Sequence, residues 1–142
     1  MTFTRAMFRW LLLASIGVAV IGGIADFVFS DWVPESVRAA DAAALSDTSD
    51  VRAFIVGAFV VLCLIAAVAV TVGMYRFRAW ARRWNLYLSA VSLVLIAALG
   101  YLVSNGFANA LYELSAMLWG AVTFASYFSP VTAEFERPPV DS

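Results

Sequence analysis

Asp26 and Glu113 are the residues that could do chemistry in this chain, because each is an acid set in or at the edge of an apolar stretch. An ionisable side chain in hydrocarbon is costly, and where one occurs it marks proton relays, ion paths or a buried partner. Polar and small residues stand at helical spacing around both acids. Asn109, Glu113, Ala116 and Gly120 share one helix face, whereas Leu111, Leu114, Leu118 and Val122 point largely elsewhere. Ser15, Ala19, Gly22, Gly23 and Asp26 share a face in the same way. Stripes of small residues are where membrane helices approach closely, so both acids are expected to face into the molecule. The sequence therefore predicts a polar cluster of Asp26, Arg52, Asn105, Asn109 and Glu113, bordered by Tyr101 and Tyr112. The competing expectation is purely structural: Asp26 ends its helix, Arg52 reaches the lipid head groups, and Glu113 bonds the turn at 104–106.

Other chemistry is sparse. Histidine is absent, which removes the usual proton shuttle, the commonest metal ligand and any Ser-His or Cys-His pair. The single cysteine, Cys63, sits between Leu62 and Leu64 and reads as a packing or lipid-facing residue. No phosphate-binding glycine loop, HExxH or CxxC occurs. The expectation is a non-enzymatic protein with no cofactor and no metal. A net charge of −1 gives no attraction to nucleic acid.

The elements that must position these residues follow from composition. The chain has 142 residues, 63% hydrophobic and 13% charged, with mean hydropathy +0.88. Soluble domains are about 45–50% apolar and about 25% charged, so the surplus apolar surface must face lipid. Four apolar segments are predicted to span a membrane as helices, at about 7–29, 51–74, 84–103 and 107–128. The first is too long for the apolar core of a signal peptide and is read as uncleaved. Between the first two spans, 30–50 forms an acidic outer loop, with a short surface helix over Glu35–Leu45 after Pro34. An inner loop at 75–83 carries Arg76, Arg78, Arg82 and Arg83, which set topology or contact lipid head groups. Ser104-Asn105-Gly106 makes a tight turn, so the last two spans form an antiparallel hairpin. Pro130 ends the fourth span, and 131–142 is expected to be a disordered tail. The fold class is thus all-α, an integral membrane four-helix bundle with a short outer-loop surface helix.

Orientation follows from the arginines. With both termini in the cytoplasm, Arg5, Arg9, the four arginines of the inner loop and Arg137 lie inside, leaving Arg38 and Arg52 outside. Trp10, Tyr75, Trp80, Trp84 and Tyr127 then fall at the inner boundary, and Trp32, Tyr101 and Tyr112 at or near the outer one.

Four spans in a chain of this length resemble the small multidrug transporters. Those are shorter and carry their essential glutamate in the first helix, where this chain has Asp26 at the outer end, so no function is carried over. The arginine-tryptophan loop is similar to that of many small bacterial membrane proteins, which implies a bacterial inner membrane and nothing further. Three function classes remain. The favoured one is a partner-binding or accessory subunit, including an immunity protein against a membrane-active or periplasmic toxin. The alternative is a transporter or channel subunit, using Glu113 and Asp26 as intramembrane acids in an oligomer. A membrane enzyme is disfavoured. The expected partners are the lipid bilayer and another membrane or periplasmic protein.

Overall fold

The computed structural model describes residues 3–46, 50–99 and 104–136. Its secondary structure is helical throughout: α1 (Arg5–Val28), α2 (Glu35–Ser46), α3 (Asp50–Tyr75), α4 (Ala79–Leu99), α5 (Gly106–Phe128) and α6 (Thr132–Glu136), with a 3-10 turn at Ser30–Trp32. Two stretches among the described residues, Arg5–Val28 and Gly57–Tyr75, are long and apolar enough to cross a membrane, with mean hydropathies of 2.2 and 2.6. α4 and α5, at 21 and 23 residues, reach about 32 and 35 Å at 1.5 Å per residue. So apolar a chain offers its amides few polar side chains, and a helix satisfies them internally.

The ends are set by local chemistry. Thr4 caps α1, its hydroxyl accepting from the Met7 amide at 3.3 Å. α3 closes in a Schellman arrangement: the Phe77 amide donates to the Met74 carbonyl at 3.1 Å and the Arg78 amide to the Gly73 carbonyl at 2.8 Å. The residue at that bend is left-handed, and here it is Phe77, with φ 55°, rather than glycine. Its ring is held 5.5 Å from Phe8 and 5.3 Å from Phe135, so aromatic packing offsets the strained backbone.

α1 and α5 lie antiparallel in the most extensive helix contact. Gly22 is where they approach: a Cβ there would stand 3.1 Å from the Tyr112 ring and 3.3 Å from Leu111. Seven residues nearer the N-terminus, the Ser115 hydroxyl donates to the Ser15 carbonyl at 2.8 Å. α3 and α4 form the second antiparallel pair, hinged at Arg76–Arg78. Here a Cβ on Gly73 would fall 2.6 Å from the Ala81 methyl. The two pairs join at the arginine-rich end, where Phe8, Leu12, Val70, Met74, Ala81, Val122, Ala125, Val131 and Phe135 make one buried cluster.

Several expectations change. The loop expected at 75–83 shrinks to Arg76–Arg78, and Arg82 and Arg83 lie on α4. The Schellman bend reverses the chain in three residues, after which helix again satisfies the amides. The expected hairpin partners, α4 and α5, meet at the arginine-rich end, where the Asn85 side-chain amide donates to Thr123 Oγ1 at 2.8 Å. Their closer neighbours are α3 and α1. Of the tail expected to be disordered, Thr132–Glu136 folds back as α6 because Phe135 is buried in the core. The remaining tail, 137–142, lies outside the described residues. A short helix after Pro34, as expected, is present as α2.

Candidate functional site

Of the five residues expected to cluster, the structure brings two together. Asn105 is the N-cap of α5 and is 2% exposed. Its Oδ1 accepts from the Ala108 amide at 2.8 Å, the bond an N-cap exists to make. Its Nδ2 donates to the Ala25 carbonyl at 3.1 Å and to Asp26 Oδ1 at 3.2 Å. The Asn105 backbone amide donates to the same Asp26 oxygen at 3.1 Å. One asparagine thus starts α5 and ties it to the end of α1, with two of these side-chain bonds buried and the one to Asp26 partly buried. Bonds to a carboxylate are stronger than neutral ones, so Asp26 works here as an anchor for the turn.

Glu113 and Asn109 are elsewhere. Both are exposed, as are Ala116 and Gly120, and no atom lies within 4 Å of where a Gly120 Cβ would be. The stripe expected to face inward on α5 therefore faces out, while of the matching stripe on α1 Ser15 and Gly22 are buried, Ala19 and Asp26 half-buried and Gly23 exposed. α5 turns Ala108, Ser115, Val122 and Ala125 toward its neighbours instead. The reason is shape. The bulky Tyr112 and Leu111 fit over Gly22, which rotates Glu113 away. Tyr112 lies over the α1 stripe, as a border to the acids would require, but it borders Asp26's helix alone. The Arg52 side chain and Tyr101 lie outside the described residues.

The second concentration of function-capable groups is at the opposite end. Arg5 pairs with Glu134, and Arg82 with Glu136 at 3.2 Å. Arg82 is 15% exposed, stacks 5.2 Å from the Tyr127 ring centroid, and has its Nε buried with no hydrogen-bond partner among the described residues. Arg9 lies 4.7 Å from the Tyr75 ring and 5.3 Å from that of Phe77, with its Nε donating to the Tyr75 carbonyl at 3.3 Å. Arg76, Arg78 and Arg83 are exposed. Neutralising Arg5 and Arg82 with two glutamates of α6 was not legible in the sequence. The available signal was Glu134-Phe135-Glu136, a phenylalanine between two acids in a chain whose arginines concentrate at the start of α1 and around the α3–α4 bend.

Chemically, the Asp26 end is a hydrogen-bonded joint in which the Asn105 side chain is engaged at both ends and Asp26 Oδ1 accepts two bonds. Among the described residues, the arginine-rich end offers Arg9, Arg76, Arg78 and Arg83 with no carboxylate partner, beside apolar surface. Comparison with family models, curated proteins and solved structures finds no match to this chain, so any functional reading rests on this geometry.

Proposed function

We propose that this chain is a non-enzymatic, multi-pass membrane protein whose α1, α3, α4 and α5 cross a bacterial inner membrane, with both termini in the cytoplasm. It acts by binding a partner, as an accessory subunit or as an immunity protein facing a toxin from outside. The observation that supports this reading is the extent of uncovered apolar helix: Phe54, Leu64, Ile65 and Val68 on α3, Leu93 and Val94 on α4, and Met117 and Phe124 on α5 are each more than three-fifths exposed. Patches of that extent need lipid or a protein partner. Arg5 and Arg9 at the start of α1 and the arginines at and after the α3–α4 bend gather at one end, which supports placing that end inside. Binding is favoured over transport because Asp26 is engaged by Asn105 while Glu113 faces outward, so the two acids share no path within one chain.

Alkaline extraction combined with cysteine labelling tests this reading. In a chain lacking Cys63, a cysteine replacing Ala44 should be labelled from outside and one replacing Ala79 should not. Release of the chain by alkali, or the reverse labelling, would reject the membrane arrangement. The exposed Glu113 favours one second reading, an oligomeric transport subunit in which acids from neighbouring copies meet. Proton or substrate flux in liposomes that vanishes in Glu113→Gln would select it. A stoichiometric partner that survives Asp26→Asn and Glu113→Gln would select binding.

A further inference from the structure

At the arginine-rich end, between α1 and α3, lies an open groove of about 370 Å³ lined by Leu12, Leu13, Thr71, Val72, Tyr75 and Arg76. That volume is in the range of small-molecule sites, about 300–1,000 Å³. The walls are aliphatic and half exposed, Leu13 at 46% and Val72 at 47%. One rim is cationic: Arg76 lines it, and Arg9 stacks on Tyr75 beside it. The chain supplies glutamates to Arg5 and Arg82, but among the described residues it supplies no carboxylate to Arg9 or Arg76. The comparable groove between α3 and α4, lined by Phe59, Ala90, Val91, Val94 and Leu95, has no charged rim.

We propose that the α1–α3 groove holds one acyl chain of an anionic phospholipid, with the lipid phosphate bound by Arg76 and Arg9. The inference rests on the membrane reading above, which puts this rim at the level of the inner head groups. Charge complementarity selects the occupant. An apolar slot alone would accept any hydrocarbon, but two arginines at one rim with no acid beside them among the described residues call for a phosphate, whose oxygens match the guanidinium fork. Exposed Trp10 and Trp80 at the same end are the side chains that settle at a head-group boundary. Arg83, also exposed, is outside the groove and serves as the control for diffuse charge.

The test uses the full chain purified in mild detergent and titrated with phosphatidylglycerol or with phosphatidylcholine of identical acyl chains. Native mass spectrometry counts the bound lipid. One saturable phosphatidylglycerol adduct is expected, with phosphatidylcholine clearly weaker. Arg76→Gln should weaken phosphatidylglycerol about fivefold, the weight of one arginine at an anionic surface, whereas Arg83→Gln should leave it unchanged. Val72→Trp should block retention with every arginine intact, and Leu13→Trp does the same from the α1 wall should Val72→Trp lose its helical circular dichroism. Equal retention of the two lipids overturns the proposal, as does equal loss in Arg83→Gln and Arg76→Gln, or undiminished retention when the groove is filled. Alkaline extraction separates the two failures: a chain released by alkali fails the membrane reading, while a retained chain without lipid selectivity fails the groove alone.

Discussion

Replacing Asn105 tests whether the joint between α1 and α5 is held by hydrogen bonds or by helix packing alone. Asn105→Ala removes the α5 cap, at about 1 kcal/mol. It also removes two side-chain donations, a buried one to the Ala25 carbonyl and a partly buried one to Asp26, at about 1 kcal/mol net for each bond. The backbone amide still reaches Asp26, so the expected loss is about 3 kcal/mol. Asn105→Ser keeps a cap and loses the donations, at about 2 kcal/mol. Asn105→Asp also keeps the cap, but it sets a second carboxylate where Nδ2 now stands 3.2 Å from Asp26; it should be at least as damaging as alanine. Adding Asp26→Asn to Asn105→Asp restores a donor on the other side and should recover part of the loss. Thermal unfolding in detergent, followed by far-ultraviolet circular dichroism, reads the series. At about 3 °C per kcal/mol for a chain of this size, alanine should lower the midpoint by about 9 °C and serine by about 6 °C. Equal midpoints for serine and alanine would refute the capping role. A wild-type midpoint in Asn105→Asp would refute the contact with Asp26 altogether.

Other substitutions probe the rest of the packing. Gly73→Ala should destabilise by about 1 kcal/mol, since overpacking against Ala81 at about 1–3 kcal/mol exceeds the helix propensity gained at about 1 kcal/mol. Gly57→Ala, with nothing within 4 Å of its added methyl, should be neutral or stabilising, and the opposite order in a melting experiment would contradict the α3–α4 approach. At the left-handed bend, Phe77→Gly and Phe77→Ala should both fall below the native chain. Glycine should be the better of the two by about 1 kcal/mol because it carries no Cβ strain; unfolding midpoints that favour alanine would count against the observed φ. Phe135→Ala should cost about 3 kcal/mol and free α6 from the core. Limited proteolysis should then cut within 129–136, and unchanged resistance would mean that Phe135 does not hold the segment.

Much of this protein is local, and the local part was legible. Hydrophobic runs of spanning length, the turn at 104–106, Pro130 after α5 and the arginines near the termini can all be read along the chain. Each depends on a few consecutive residues and on the cost of leaving amides or charges without partners. Even the α1 stripe with Gly22 was identifiable, because small residues at helical spacing permit a close approach. What they do not name is the approaching surface. α5 carries its own stripe, Asn109, Glu113, Ala116 and Gly120, and nothing local distinguishes it from that of α1. The choice was made between surfaces some 80 to 100 residues apart, when Tyr112 and Leu111 settled over Gly22 and Ser115 reached Ser15. That rotation left Glu113 outside and parted it from Asp26. The same holds for α6, whose five residues are too few to show a period; only a core already assembled from α1 and the α3–α4 bend gives Phe135 somewhere to be buried. The sequence by itself determined which segments are helical and which end holds the basic residues, because those are sums over neighbours. The tertiary structure decided which faces meet and which acids share a site, because shape complementarity between distant surfaces has no signature in either one alone.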